Sequence, residues 1–174
     1  VEIVPVDEAV FACWDGLAEG FVADPRLAAL GGRRYDGEVP VDAVENDFQA
    51  HRLGLGVPDP ATDAQADRTY PIEANFDLLN GIDFRKGCFV GQETTSRMKR
   101  RGAIRNRMLP LVFEGPPPPF GGEVLNGELR AGEVLGGRDG TAMALLRLDR
   151  LGGSLTVGGR PVQVRRPEWF AAAS

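Results

Sequence analysis

Two cysteines, Cys13 and Cys88, are too few for a disulfide framework and too few for a four-thiolate zinc or iron–sulfur site within one chain. A single histidine, His51, excludes the histidine-rich metal constellations, and excludes a Ser-His-Asp triad unless that one residue serves it. Metal-free chemistry is the expectation. No apolar run approaches the length that crosses a bilayer, and no basic-then-apolar leader opens the chain. A soluble, intracellular protein with no membrane partner is therefore expected. The chain starts at Val1, and VEIVPVDE leads directly into an expected strand, as in a processed or truncated polypeptide.

What is present is enough for a sizeable core: 174 residues at 43% apolar content suit one large domain or two small ones. Charge is unevenly placed. Residues 1–80 carry 16 acids against 5 bases, whereas six of the eleven residues from Arg97 to Arg107 are Lys or Arg. With a net charge of −5, the totals speak against a general nucleic-acid coat but allow a local anion site near residues 86–107.

Along the chain, Glu8 to Trp14, Phe21 to Ala23 and Arg33 to Tyr35 read as short strands, a short amphipathic helix competing for the first. Cys13, in the run VFACW, reads as inert core. Asp42 to Leu53 reads as a helix, with Asp42 and Glu45 forming a capping box and Gly54, Gly56 and Pro58 ending it. His51 falls on its apolar stripe and is expected to pack and bond locally rather than to catalyse. PDPATDAQADR reads as a polar surface excursion, followed by a short helix near Ala74 to Leu79 and an Asn80-Gly81 cap. After Arg105, strands are expected at 106–113, 128–135, 141–148, 154–157 and 161–165, with hairpin signals at Asn126-Gly127 and Gly158-Gly159. Five or six such strands suggest a small antiparallel barrel or sandwich, with PPPPF as a stiff connector.

The segment KGCFVGQE, Lys86 to Glu93, sets an ammonium, a thiol and an acid around two glycines. If Lys86 to Cys88 is extended, the two side chains share a face, and an ammonium beside a thiol favours thiolate. The competing reading makes Cys88 a small core residue continuous with Phe89 and Val90. Lysine is rare here, 2 residues against 18 arginines, so a primary ammonium is a marked choice at Lys86. The basic residues Arg97, Lys99, Arg100, Arg101, Arg105 and Arg107 cannot share one helical face, and Gly102 is expected to break the segment. They read either as a solvated surface or as an attractor for an anionic small molecule or a nucleic-acid backbone.

YPIEANF, the link NGIDFRK, KGCFVGQE and the basic segment after it together resemble the YgfZ family of folate-binding proteins, which is similar to the glycine-cleavage T-protein, an aminomethyltransferase. The resemblance runs from about Phe21 to the end. It implies an α+β protein: a truncated T-protein-like folate-binding α/β region, residues 1–105, followed by a small C-terminal antiparallel β-barrel, residues 106–174. It implies tetrahydrofolate, or a folate derivative, as cofactor and Glu73 as the acid that contacts the pterin. Gln92, Glu93 and Arg97 join Glu73 as the folate-contacting set, with Lys86 and Cys88 acting at the rim of the folate cavity. Phe89 takes the motif's aromatic place. The resemblance further implies a role in iron–sulfur cluster assembly or repair, with iron–sulfur proteins or assembly factors as partners and tRNA affected indirectly. The compartment is the cytoplasm, or the mitochondrial matrix if eukaryotic. Aminomethyl transfer to folate is the rival activity, and direct tRNA binding through Arg97 to Arg107 ranks last.

Overall fold

A computed structural model describes residues 9–65, 68–88, 91–100, 104–138 and 140–171. The chain divides into two compact units, Val1–His51 and Arg52–Ser174. The barrel begins at Asn106, inside the second unit.

In the first unit, two short apolar runs and the central segment Gly32-Arg33-Arg34 pair as three antiparallel strands: β1 (Phe11–Cys13), β2 (Val22–Ala23) and β3 (Gly32–Arg34), in the order β1-β3-β2. These are the strands read from the sequence, the first two shortened and the third moved one residue toward the N-terminus; VEIVPVDE lies outside the described residues. Cys13 is half-buried rather than core, because a sheet of two- and three-residue strands is too small to enclose it. Among the unit's described residues the buried charge is Asp24, whose Oδ1 accepts from Arg26 Nε at 3.0 Å and whose Oδ2 accepts from Arg26 Nη2 at 2.7 Å, with Arg33 Nε 3.5 Å away. Burial raises the Asp24 pKa, but the hydrogen bonds and charge of Arg26, together with Arg33, outweigh it, and the carboxyl sits below its ordinary 3.8. A depressed folded pKa means stabilisation that is complete above 3.8 and lost as the pH falls through the lower folded value. Asp24→Asn is thus expected to lower stability at neutral pH, and acid-unfolding curves of variant and parent should converge once Asp24 is protonated.

Helix α1 (Glu45–Leu55) begins three residues later than the sequence suggests. Its N-terminal acceptor is Asp47, whose Oδ2 takes the Val44 N–H at 2.9 Å, rather than the Asp42–Glu45 pair. His51 stacks on Trp14 with ring centroids 5.7 Å apart and donates from Nε2 to Ala29 O at 2.9 Å, the packed, locally bonded role expected of it. The helix includes Gly54 and ends at Leu55, and the φ of 72° at the following Gly56 allows Gly56 N–H to bond Leu53 O and Val57 N–H to bond Arg52 O, a Schellman cap.

In the second unit, PDPATDAQADR is not the loose excursion expected. Asp59 caps a four-residue helix α2 (Pro60–Asp63), and Asp63, 2% exposed, accepts from Arg52 Nη1 at 2.7 Å. A guanidinium at the end of α1 thereby fixes a segment whose small, acidic residues could not pack on their own; Ala66 and Asp67 lie outside the described residues. Six strands then close into an antiparallel barrel in the order β4-β7-β6-β5-β8-β9: β4 (Asn106–Val112), β5 (Glu123–Asn126), β6 (Leu129–Arg138), β7 (Thr141–Arg147), β8 (Leu155–Val157) and β9 (Arg160–Val164). Strand β5 was implied in the sequence only by the hairpin signal after it. That hairpin turns at Gly127-Glu128, since Asn126 pairs with Leu129 inside the ladder and gives its side-chain amide to Arg150 O at 3.0 Å.

Leu109, Leu111, Val124, Val134, Ala144, Leu146 and Val157 fill the barrel. The other face of β4 is covered too, because Met108 joins Leu53, Ala74, Leu135 and Met143 in a second apolar cluster outside the barrel. Burial on both faces makes β4 the strand against which residues 52–79 are laid. Its Pro110 carbonyl accepts from Arg165 N–H at 2.9 Å, but the proline ring has no N–H to return, so the ladder to β9 is confined to Leu111 and Val112. A short C-terminal helix α4 (Glu168–Ala171) places Trp169, whose indole N–H donates to Leu55 O at 2.9 Å.

Candidate functional site

A short helix was expected near Ala74 to Leu79, but residues 71–80 form consecutive tight turns. Asn75 and Asn80 break any helix there, with φ of 63° and 57°, a region that asparagine tolerates better than most residues. Asn75 is fully buried and donates from Nδ2 to Met108 O at 2.7 Å, so the turn is tied to the start of β4.

Arg107 completes the attachment. Its Nη1 donates to Ile72 O at 2.6 Å, to Asn75 Oδ1 at 3.3 Å and to Asp77 Oδ1 at 2.5 Å, while Nη2 donates to Asp77 Oδ2 at 2.8 Å. Counted by sequence among the surface cations, Arg107 is 5% exposed and is a structural ion. Its position at the head of a strand rich in apolar residues was the available signal. Glu73 lies in the same cluster, 7% exposed. Met108 N–H donates to its carbonyl at 2.8 Å and Asn106 Nδ2 donates to its Oε1 at 2.8 Å. Asp77 and Asn106 carried no motif signal, because both act through contacts across about thirty residues of sequence.

The other candidates lie at the surface, Lys86, Cys88, Glu93 and Arg97 exposed and Gln92 half-buried. From Gly81 the chain runs over the surface to Cys88, a free, exposed thiol. The backbone bends at Lys86, which is also exposed, so strand alternation does not bring its ammonium beside the thiol. Phe89 and Val90, read as a motif aromatic and as core, lie outside the described residues. Helix α3 (Gln92–Arg100) follows Gly91, whose φ of 80° and open surroundings suit the turn into it. Gln92, Glu93, Ser96, Arg97 and Arg100 line an open groove along this helix. Glu93 and Arg97 form an ion pair one helical turn apart. Lys99 Nζ stands 3.7 Å from the centroid of Phe84, joining α3 to the surface segment before the cysteine.

The six candidates therefore fall into two groups. Gln92, Glu93 and Arg97 share one helical face just after Cys88 and Lys86, whereas Glu73 is fixed in the buried cluster with Asn106. The basic segment is thinner as an anion attractor than its count suggests: Arg107 is buried, and of the exposed cations Arg97 is paired with Glu93 and Lys99 is stacked on Phe84, while Arg100 and Arg105 are exposed too. Arg101 and Gly102 lie outside the described residues. Among the described residues, no group of three His, Cys, Asp or Glu side chains could hold a metal ion.

Residues 105–172 match the CAF17 C-terminal beta-barrel domain, in agreement with the closed barrel. The chain is 31% identical over 172 residues to the mitochondrial iron–sulfur cluster assembly factor IBA57 of Mus musculus, with 88% of this chain and 48% of that protein aligned. The Homo sapiens protein of the same name is also 31% identical, over 91% of this chain and 49% of its own length. The mitochondrial IBA57 homolog of Neurospora crassa is 40% identical over 110 residues, 56% of this chain and 24% of that protein. The chain spans about half the length, or less, of these relatives.

Proposed function

Since this chain belongs to the YgfZ/IBA57 family of iron–sulfur assembly proteins and carries a CAF17-type C-terminal barrel, we propose that it acts in iron–sulfur cluster assembly or repair through the thiol of Cys88, alongside a folate held by Glu73. The observation that carries the reading is the exposure of Cys88. Free cysteine is among the most buried residue types, and here it stands in solvent inside an intact KGC-x-x-GQE motif. A thiolate is the ordinary protein ligand for iron–sulfur cargo, and an iron–sulfur cluster ligated by thiolates is anionic. Lys86 before the cysteine and the arginines of α3 after it supply cations along the same stretch of chain.

The residues also suit a folate. A pterin presents a ring N–H and an amino group side by side, and a carboxylate accepts both in parallel. Glu73 is a carboxylate oriented by a neutral amide, while the guanidinium of Arg107 is held by Asp77. Glu73 would hold the pterin; tetrahydrofolate, when bound, supplies a nucleophilic N5 that carries one-carbon units. The natural partners on this reading are proteins that hand over or receive clusters. The relatives' names place them in mitochondria, so the matrix is the proposed compartment. No helix among the described residues is long and apolar enough to cross a membrane.

Cys88→Ser in the full-length protein is the test. Cluster delivery to an apo iron–sulfur client, followed by the client's visible absorbance and activity, should fall to background. The unfolding free energy should stay within about 0.5 kcal/mol, because the side chain is exposed, and tetrahydrofolate binding by calorimetry should be retained. Undiminished cluster delivery rejects the thiol role. Turnover of an aminomethyl donor with tetrahydrofolate would instead move the reading to a transferase.

A further inference from the structure

We propose that Asn106 is a positioning residue for pterin recognition: its side-chain amide aims the Glu73 carboxylate without neutralising it. The inference rests on the assignment of Glu73 to the pterin, and adds to it the residue that sets the acid's direction and charge.

Three observations lead there. The backbone of Glu73 is fixed on both sides, its N–H donating to Tyr70 O at 2.9 Å and its carbonyl accepting from Met108 N–H at 2.8 Å. Main-chain bonds hold the residue but leave the side-chain torsions free. Asn106 Nδ2 then donates to Oε1 at 2.8 Å, and this bond is what selects the carboxylate's orientation. Thirdly, the neighbouring cation is committed elsewhere, since Arg107 gives both terminal nitrogens to Asp77 and one of them also to Ile72 O.

The chemistry follows from the donor's neutrality. A cation against Glu73 would cancel its charge and compete with an incoming ligand for both oxygens. An amide N–H occupies one lone pair of Oε1 and leaves the remaining acceptor sites for a ligand with two adjacent donors. Such a ligand is a 2-amino-4-oxo pyrimidine ring, the end of a pterin that carries a ring N–H next to an amino group. Asn106 is the first residue of β4, so its aim is inherited from the barrel ladder, where it pairs with Arg147.

Tetrahydrofolate calorimetry on the full-length protein, with thermal unfolding run in parallel, tests the idea. Asn106→Ala should weaken binding about tenfold, the loss expected of one hydrogen bond to a charged group, while Asn106→Gln should restore part of it. Asn106→Asp gives a readout that a merely structural role would not move. It sets a second carboxylate against Glu73, with Arg107 and Asp77 the other charges of the cluster, and so raises the apparent pKa of the pair. Binding, which needs Glu73 ionised, should then fail at a higher pH on the acid side than in the parent. If the parent protein binds tetrahydrofolate but Asn106→Ala binds equally well and Asn106→Asp leaves the pH profile unmoved, the positioning role is overturned. If the parent does not bind tetrahydrofolate, the pterin assignment of Glu73 falls, and this proposal with it.

Discussion

Arg107→Met is expected to destabilise the second unit by about 3–5 kcal/mol, the cost of removing one partner from a buried ion pair. The side chains of Arg107 and Asp77 are 6% and 8% exposed. With the guanidinium gone, Asp77 is left as an uncompensated carboxylate, and Ile72 O and Asn75 Oδ1 lose a donor. Denaturant unfolding measures the loss. Pairing the change with Asp77→Leu should recover much of it, because an apolar replacement for a whole buried pair is often tolerated where a half-broken pair is not. If the single variant loses less than about 1 kcal/mol, Arg107 is not what fastens residues 70–80 to the barrel.

Glu73→Gln is expected to weaken tetrahydrofolate binding by about a hundredfold or more. Two charge-assisted bonds are at stake, each worth roughly 1.5–3 kcal/mol, and a glutamine offers one acceptor and one donor where the ligand presents two donors. Its amide nitrogen, turned toward the ligand, opposes a donor; turned toward Asn106, it opposes that residue's own N–H. The main-chain bonds to Tyr70 and Met108 do not depend on the charge, so the unfolding midpoint should change far less than affinity. Calorimetry of the full-length variant reads the result, and unchanged affinity would remove Glu73 from the pterin site.

The barrel was legible because its signals are local. Glycine turns at Gly127, Gly140, Gly153 and Gly158 and the apolar stretches between them place β4, β6, β7, β8 and β9 within a few residues of their true limits. Strand β5, four residues between a glycine pair and a hairpin, gives too short a pattern to read by itself. Non-local bonds account for most of the remaining differences. Asp63 looks like a loop acid until Arg52, eleven residues away, buries it. Arg107 looks like one of six surface cations until Asp77, thirty residues away, claims it. The tight turns at Asn75 likewise depend on the Met108 carbonyl, which no window around residue 75 contains. At the candidate site, the motif and its resemblance pointed to Glu73, Cys88 and α3, but Asn106 has no counterpart in any pattern read along the chain.

Closure of the six strands has a consequence for assembly with other proteins. A sheet wrapped onto itself leaves little main-chain rim, limited to the seam where β4 and β9 meet only at Leu111 and Val112, so a visiting polypeptide has little edge to lengthen by lending a strand. Any protein that docks on this half of the molecule has to grip side chains and turn tips, which ties its affinity to residue identity rather than to backbone shape.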